Sequence, residues 1–351
     1  MSWQDKLRKV EPYVAGEQPK MNKLIKLNTN ENPYGPSLKV KEVLNQFDAH
    51  QLRLYPNSDA EELKQVIASY YQVDEDQVFL GNGSDEVLAL SFLTFFNGNA
   101  PVLFPDITYS FYPVYGELFQ INFETIPVKD DFQIDLNDYK KENSGIIFPN
   151  PNAPTGLLLS VDEIEDLLKS NTDSVVIVDE AYIDFGGQSV IPLIKNYDHL
   201  VVIQTFSKSR ALAGMRLGIA IGGKTAIKRL YDVKNSFNSY PLDRLAQEVG
   251  IASFKDQEHF EMTRKKIIDT REMTKEELKK LGFHVLDSYA NFVFASHPNY
   301  DAKTIFQELR KEGIIVRYFS SPRIDQYLRI SIGTTEEMNS LIHFLKQYMA
   351  E

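Results

Sequence analysis

The sequence predicts an α/β protein: a large domain built on a mostly parallel sheet flanked by helices, followed by a smaller α+β domain. Three observations lead there. Short apolar, β-branched runs at 78–80, 101–104, 146–148, 175–178 and 200–204 alternate with segments of helical period, the pattern of right-handed crossovers between parallel strands. Beyond Tyr240-Pro241 the pattern changes: 243–282 is long, charged and helical, and short strands then mix with helices at 302–312 and 335–350. A chain of 351 residues also exceeds one ordinary core.

Residues 1–35 read as an arm, interrupted by Pro12, Gly16 and Pro19 and closing on LNTNENPYGPS (27–37), a string of turn formers. An amphipathic helix then runs from Pro36-Ser37 to about Phe47, with Val40, Val43, Leu44 and Phe47 on one face. Ser58 or Asp59 is expected to cap the next helix, whose Leu63, Val66, Ile67 and Tyr70 recur at helical spacing. VFLGNGSDE (78–86) gives a strand, a glycine turn and a helix start near Ser84-Asp85-Glu86, whose free backbone N–H groups suit a phosphate. The turn is neither a Walker loop nor a full GxGxxG.

Residues 101–118 form a second strand and helix, with Tyr109 at the junction either as core filler or as a stacking plate for a flat ring. A strand at 145–149 runs into the proline-rich turn NPNAPTG, and SVVIVDEAYIDF (174–185) is a strand ending at Asp179-Glu180 with Tyr182 close behind. The expected division is 1–49 for the arm and first helix, grouped with the small domain, 50–250 for the large domain, and 251–351 for the rest of the small domain.

Composition excludes several chemistries. Cysteine is absent, which removes disulfides, thiolate nucleophiles and cysteine-ligated zinc. The six histidines are too dispersed for a sequence-local ligand set, so no metal is expected. A formal charge of −11 opposes bulk binding to nucleic acid or to a membrane surface, and any anionic ligand must be held by local donors. No run approaches membrane-spanning length and the N-terminus has no export signal, so a cytoplasmic protein is expected.

Everything converges on Lys208. It lies just past the strand at 200–204, at the strand end where an open α/β sheet forms its crevice. Most lysines are solvated surface charges, but Thr205, Ser207 and Arg216 around this one suit an anion. A neutral, nucleophilic amine at this position needs its pKa lowered by roughly 2–3 units, about 3–4 kcal/mol. The sheet edge would thus bring together a phosphate-suited helix start at Ser84-Asp85, the aromatic Tyr109, an amide-rich turn at 150–156, the acid Asp179, and Lys208 with Arg216. Pyridoxal 5′-phosphate needs that set: it has a phosphate, a flat ring, a phenolic oxygen, a pyridine nitrogen wanting a carboxylate and an aldehyde wanting a lysine.

NPNAPTG, the DEAY run, TFSKSRALAGMRLG and LRISIG resemble the fold-type I pyridoxal-phosphate aminotransferases, whose large domain carries a seven-stranded sheet. LNTNENPYGPS, LYPN and GNGSDE are most similar to the histidinol-phosphate branch of that family, and the resemblance runs from about residue 24 to the end. It implies that Lys208 bonds to the cofactor and moves the proton, that Asp179 holds the pyridine nitrogen, and that Tyr182 and Asn152 touch the phenolic oxygen. Ser84, the Asp85 backbone, Thr205, Ser207 and Arg216 would hold the phosphate beneath a stacked Tyr109, with Tyr55 reaching across a homodimer to the partner's phosphate.

For substrate, the resemblance implies Arg329 with Arg317 on a phosphate or carboxylate, and Tyr34, Tyr240 and Asn32 nearby. One departure stands out: relatives commonly carry Asn directly before Pro-Thr-Gly, where this chain has Ala153. Histidinol-phosphate transamination with 2-oxoglutarate is the leading expectation. An aromatic aminotransferase, a threonine-phosphate decarboxylase and a non-enzymatic cofactor-binding module remain alternatives.

Overall fold

The computed structural model describes residues 2–14, 16–20 and 24–350. Its central sheet has seven strands in the order Val78–Asn82, Leu217–Gly222, Leu200–Thr205, Val176–Asp179, Gly145–Pro149, Val102–Pro105, Phe123–Ile126. Only Leu217–Gly222 runs antiparallel to its neighbours, so the other strands all point their carboxyl ends at one edge. Alternation along Leu200–Thr205 feeds two cores. Leu200 and Val202 join the one on one face with Leu63, Val178 and Val249; Val201 and Ile203 join the other with Phe92, Phe104 and Leu230. Each such side chain removed from water contributes about 1.5–3 kcal/mol.

Two strands of this sheet escaped the sequence reading. Phe123–Ile126 is a half-exposed edge strand whose FETI sequence lacks an apolar run. Leu217–Gly222 is rich in glycine and sits directly behind the lysine loop.

A second, antiparallel sheet carries the small lobe, in the order Arg317–Tyr318, Tyr327–Ser331, Phe292–Ser296, His284–Val285. The helices Gln257–Lys280, Ala302–Lys311 and Thr335–Tyr348 cover it, burying Ile267, Leu309 and Leu341 against Phe292 and Ile330. The arm is tied to this lobe: Ile25–Lys26 pairs in parallel with Ile314–Ile315, and Ser331 N donates to Leu27 O at 3.0 Å.

The first helix, Leu38–Gln46, buries Val40 beside Leu63 and Val249, while Leu44 stays 45% exposed. Two local expectations change. Neither Ser58 nor Asp59 caps Glu61–Tyr71, which starts from Ala60 in the left-handed region. Instead, Ser58 O and the Asp59 carboxylate satisfy the ammonium of buried Lys234, at 2.7 and 3.3 Å. The long helical stretch at 243–282 is two helices, Arg244–Lys255 and Gln257–Lys280, broken at Asp256, whose side chain caps the second.

Candidate active site

At the carboxyl edge of the large sheet lies a cavity of about 250 Å³. Its walls follow from the topology: each parallel strand delivers the residues just past its own end. Val78–Asn82 delivers Ser84 and Asp85; Val102–Pro105 delivers Thr108 and Tyr109; Gly145–Pro149 delivers Ala153; Val176–Asp179 delivers Asp179 and Tyr182; Leu200–Thr205 delivers Thr205, Ser207 and Lys208. Arg216 also lines it, while Arg317 and Arg329 face it from the small lobe.

The helix Gly83–Phe95 begins with no side-chain cap, which leaves its first N–H groups open to an anion. Gly83 takes φ +80°, and a Cβ on Gly218 of the adjacent strand would sit 2.4 Å from Gly83 C and Ser84 N. Only glycine lets the strand and the turn approach this closely. Arg216 donates to the Asp85 carboxylate at 3.0 Å, and Tyr109 donates to its other oxygen at 2.8 Å, so Asp85 fixes both side chains at the rim of the cup.

Two charges are held against their solvation preference. Desolvation, reinforced by Arg329 and Arg216 and opposed by Glu31 and Asp85, lowers the Lys208 amine to a pKa of about 8. Its Nζ donates to Thr29 O at 3.0 Å and lies 5.9 Å from the Tyr182 ring centre. Burial pushes the Asp179 carboxyl up to about 6, against hydrogen bonds from Tyr112 Oη at 3.0 Å and Ala181 N at 3.2 Å. At neutral pH Asp179 is ionised, and a fraction of Lys208 is a free amine.

Arg317 and Arg329 are direct cross-strand partners. Like charges opposed in this way repel, and among the described residues neither makes an ion pair. Arg329 donates to Asn28 O at 3.1 Å, while its buried Nε has no partner. In a chain of net charge −11, two facing guanidinium groups make this part of the cavity wall locally cationic.

Other expected residues lie elsewhere. Asn152 is buried behind the wall, its amide donating to Ile107 O at 3.0 Å and Thr155 Oγ1 at 3.2 Å, and Ala153 forms the surface instead. Asn32 does not line the cavity; it donates to the backbone oxygens of Lys208 and Ser209 at 3.0 and 3.1 Å and so anchors the lysine loop. Tyr34 stands beside Lys266, and Tyr240 packs on Tyr55 at 4.8 Å, both outside the cavity of their own chain. Tyr55 is 80% exposed.

Among the residues that sequence reasoning missed are Tyr13, Asn28, Thr29, Asn30, Glu31, Thr108, Tyr112 and Phe319. Thr29, Asn30 and Glu31 belong to the turn-forming string LNTNENPYGPS, whose density of asparagines was the available signal. Tyr112 gave none, because a buried tyrosine on a helix reads as packing.

Lys208 and the buried Asp179 thus face one cavity from the ends of neighbouring parallel strands, and the chain belongs to the class I and II aminotransferases, whose family model matches residues 22–345. It is 58% identical to the histidinol-phosphate aminotransferase of Lactococcus lactis subsp. cremoris, over 99% of this chain and 98% of that one. It is also 55% identical to that of Pseudomonas syringae pv. syringae, over 98% of each. The structure matches histidinol-phosphate aminotransferase from Clostridium acetobutylicum with a TM-score of 0.84 at 27% identity, covering 93% of this chain and 99% of that one. It matches the Sinorhizobium meliloti enzyme, solved with pyridoxal-5′-phosphate, at 0.84 and 22% identity, covering 93% and 90%.

The cofactor of this family is pyridoxal 5′-phosphate, and the donor set fits it. An open helix start and Arg216 suit the phosphate, Tyr109 the ring face, ionised Asp179 the pyridine N–H, and Lys208 the aldehyde. Thr108 Oγ1 in the same wall is buried without a partner, one further donor facing the space. No cluster of metal-ligating side chains occurs among the described residues, and no described helix is long and apolar enough to cross a membrane.

Proposed function

We propose that this chain transfers the amino group of L-histidinol phosphate to 2-oxoglutarate, giving imidazole acetol phosphate and glutamate in histidine biosynthesis. The observation that carries the substrate is the unpaired Arg317–Arg329 couple. Histidinol phosphate has no carboxylate, and its phosphate dianion accepts two guanidinium groups at once. 2-Oxoglutarate then uses the same cations through a carboxylate. The names of the relatives at 55–58% identity support the same reading.

When bound, the cofactor supplies an aldehyde that takes up the amino group and a pyridine ring that accepts the electron pair released at Cα. Lys208 Nζ would take the proton from Cα and pass it to the cofactor's former aldehyde carbon, so that the amino group stays with the cofactor, a role suited to an amine with pKa near 8. Asp179 holds the ring N–H as an ion pair, and the Tyr182 hydroxyl donates to the phenolic oxygen. Ser84, the Asp85 N–H, Thr205, Ser207 and Arg216 hold the phosphate, with Tyr109 against the ring. Asn152 takes no part in direct contact; it shapes the turn that presents Ala153.

We further assign a homodimer to the cytoplasm, consistent with a cysteine-free chain. Leu52, Leu54, Tyr55, Phe237 and Tyr240 are 47% exposed or more, with Tyr55 and Tyr240 in contact. Such a patch is what an interface covers, and Tyr55 would reach the partner's cup from it. The lobes are taken to meet near Asp256. Incubation of the holoenzyme with histidinol phosphate and 2-oxoglutarate tests the activity: equimolar glutamate and the keto phosphate are expected, whereas release of carbon dioxide from a phosphorylated amino acid, with no glutamate, points to the decarboxylase.

A further inference from the structure

We propose that Asn30 is a positioning residue that fixes which way the Tyr182 hydroxyl points, and so makes Tyr182 a hydrogen-bond donor into the cavity. The proposal rests on the reading above only in taking the phenolic oxygen of the cofactor as the acceptor.

Asn30, Ser331 and Tyr182 are all buried, 1%, 2% and 9% exposed. Ser331 Oγ accepts the Asn30 backbone N–H at 2.8 Å, and its own hydroxyl donates to Asn30 Oδ1 at 2.9 Å. With Oδ1 committed to Ser331, the other end of the amide, Nδ2, faces Tyr182 Oη at 3.0 Å. An amide nitrogen only donates. Tyr182 oxygen must therefore accept, and its proton is left free for an acceptor in the cavity it lines.

Turning the amide over would aim two N–H groups at Ser331 Oγ and leave the serine proton without an acceptor. A buried donor left without a partner keeps its full desolvation cost, which settles the orientation. Asn30 itself is held: it takes φ +55°, in the left-handed region that asparagine tolerates, and its carbonyl accepts from Asn291 Nδ2 at 2.9 Å. Its neighbours Thr29 and Asn28 accept from Lys208 and Arg329. The relay thus runs from the small-lobe strand Tyr327–Ser331, through the arm, to the tyrosine of the large lobe. Polarity, not mere contact, is what Asn30 supplies: a side chain that accepted from Tyr182 would turn its proton away from the cavity.

The test is the pH midpoint of the bound cofactor's visible absorbance, measured in the holoenzyme. Donation to the phenolic oxygen stabilises its anionic form, so losing that donor in Tyr182→Phe should raise the midpoint by about one pH unit. Asn30→Asp, whose carboxylate accepts from Tyr182, should raise it by a similar amount. In the Tyr182→Phe background Asn30→Asp should add little, since no hydroxyl remains to redirect. Ser331→Ala, which frees the amide to turn, should give part of the same rise. An unchanged midpoint in both Asn30→Asp and Ser331→Ala, with Tyr182→Phe shifted, overturns the proposal and leaves the role of Tyr182 intact. A full additional rise in the double variant also overturns it, because the added charge alone then explains the effect. No shift in Tyr182→Phe removes the donor role itself, and the proposal with it.

Discussion

Burial opposes the charge on both Lys208 and Asp179, and the site retains both. For Asp179 the folded pKa of about 6 lies above the reference 3.8, so burial destabilises the ionised form. That cost is absent below about pH 3.8, grows through pH 6 and is complete above it, reaching at most about 3 kcal/mol. Cofactor-free Asp179→Asn should therefore be more stable than the parent at pH 7–8 by about 1–3 kcal/mol, with the advantage shrinking as pH falls toward 4, while turnover of the loaded enzyme collapses. Denaturant titrations at several pH values check this; equal stabilities at pH 8 would mean that the acid is not held at a cost. Lys208→Ala should remove the visible absorbance and nearly all transamination. Residue identities were the most legible part of the site, because Lys208, Asp179, Tyr182, Ser84 and Arg216 each sit in a recognisable local string. Their partners were not: Tyr112 reaches Asp179 across 67 positions and Asn30 reaches Tyr182 across 152, contacts that only the folded chain creates.

The elements most exposed to test are the strand Leu217–Gly222 and the turn it supports. Gly218→Ala sets a methyl group against backbone that has nowhere to go, since Gly83 C and Ser84 N lie 2.4 Å from the new Cβ. Overpacking of this kind costs about 1–3 kcal/mol. A lower Tm and at least tenfold weaker cofactor binding should appear together, and a loss of stability without a loss of cofactor affinity would separate the strand from the cup. Five of the six parallel strands were legible because they are short apolar runs between helical segments. Leu217–Gly222 could also have been recognised. The stretch from Phe206 to Arg216 carries only the single turn Ala213–Met215 and no α-helix, so the next strand cannot cross over to run parallel. The break at Asp256 was hidden because helical periodicity resumes on its far side, and only the capping aspartate marks it.

At the scale of the whole molecule, the two lobes build one cavity: the large sheet edge supplies Asp179 and Lys208, and the small-lobe strands bring Arg317 and Arg329 to face them. The arm joins them, with Asn28, Thr29, Asn30 and Asn32 bonded to Arg329, Lys208, Tyr182 and the lysine loop. A homodimer should persist in sedimentation at micromolar concentration, and Tyr55→Phe should weaken cofactor binding roughly tenfold or more by removing a hydrogen bond to phosphate. A monomeric, fully active holoenzyme would remove Tyr55 from the site. Arg329→Ala should raise KM for the phosphorylated amine roughly 10- to 150-fold, the worth of one charge-assisted hydrogen bond, with a far smaller change in cofactor affinity. The most direct measurement is a single-turnover half-reaction of the holoenzyme with histidinol phosphate, phenylalanine and tyrosine side by side, following loss of the visible band. Histidinol phosphate should react with a specificity at least about 100-fold above the two amino acids, and Arg329→Ala should erase most of that margin. Equal or faster reaction with phenylalanine or tyrosine, or a preference untouched by Arg329→Ala, would contradict the assignment of the arginine pair to the substrate phosphate.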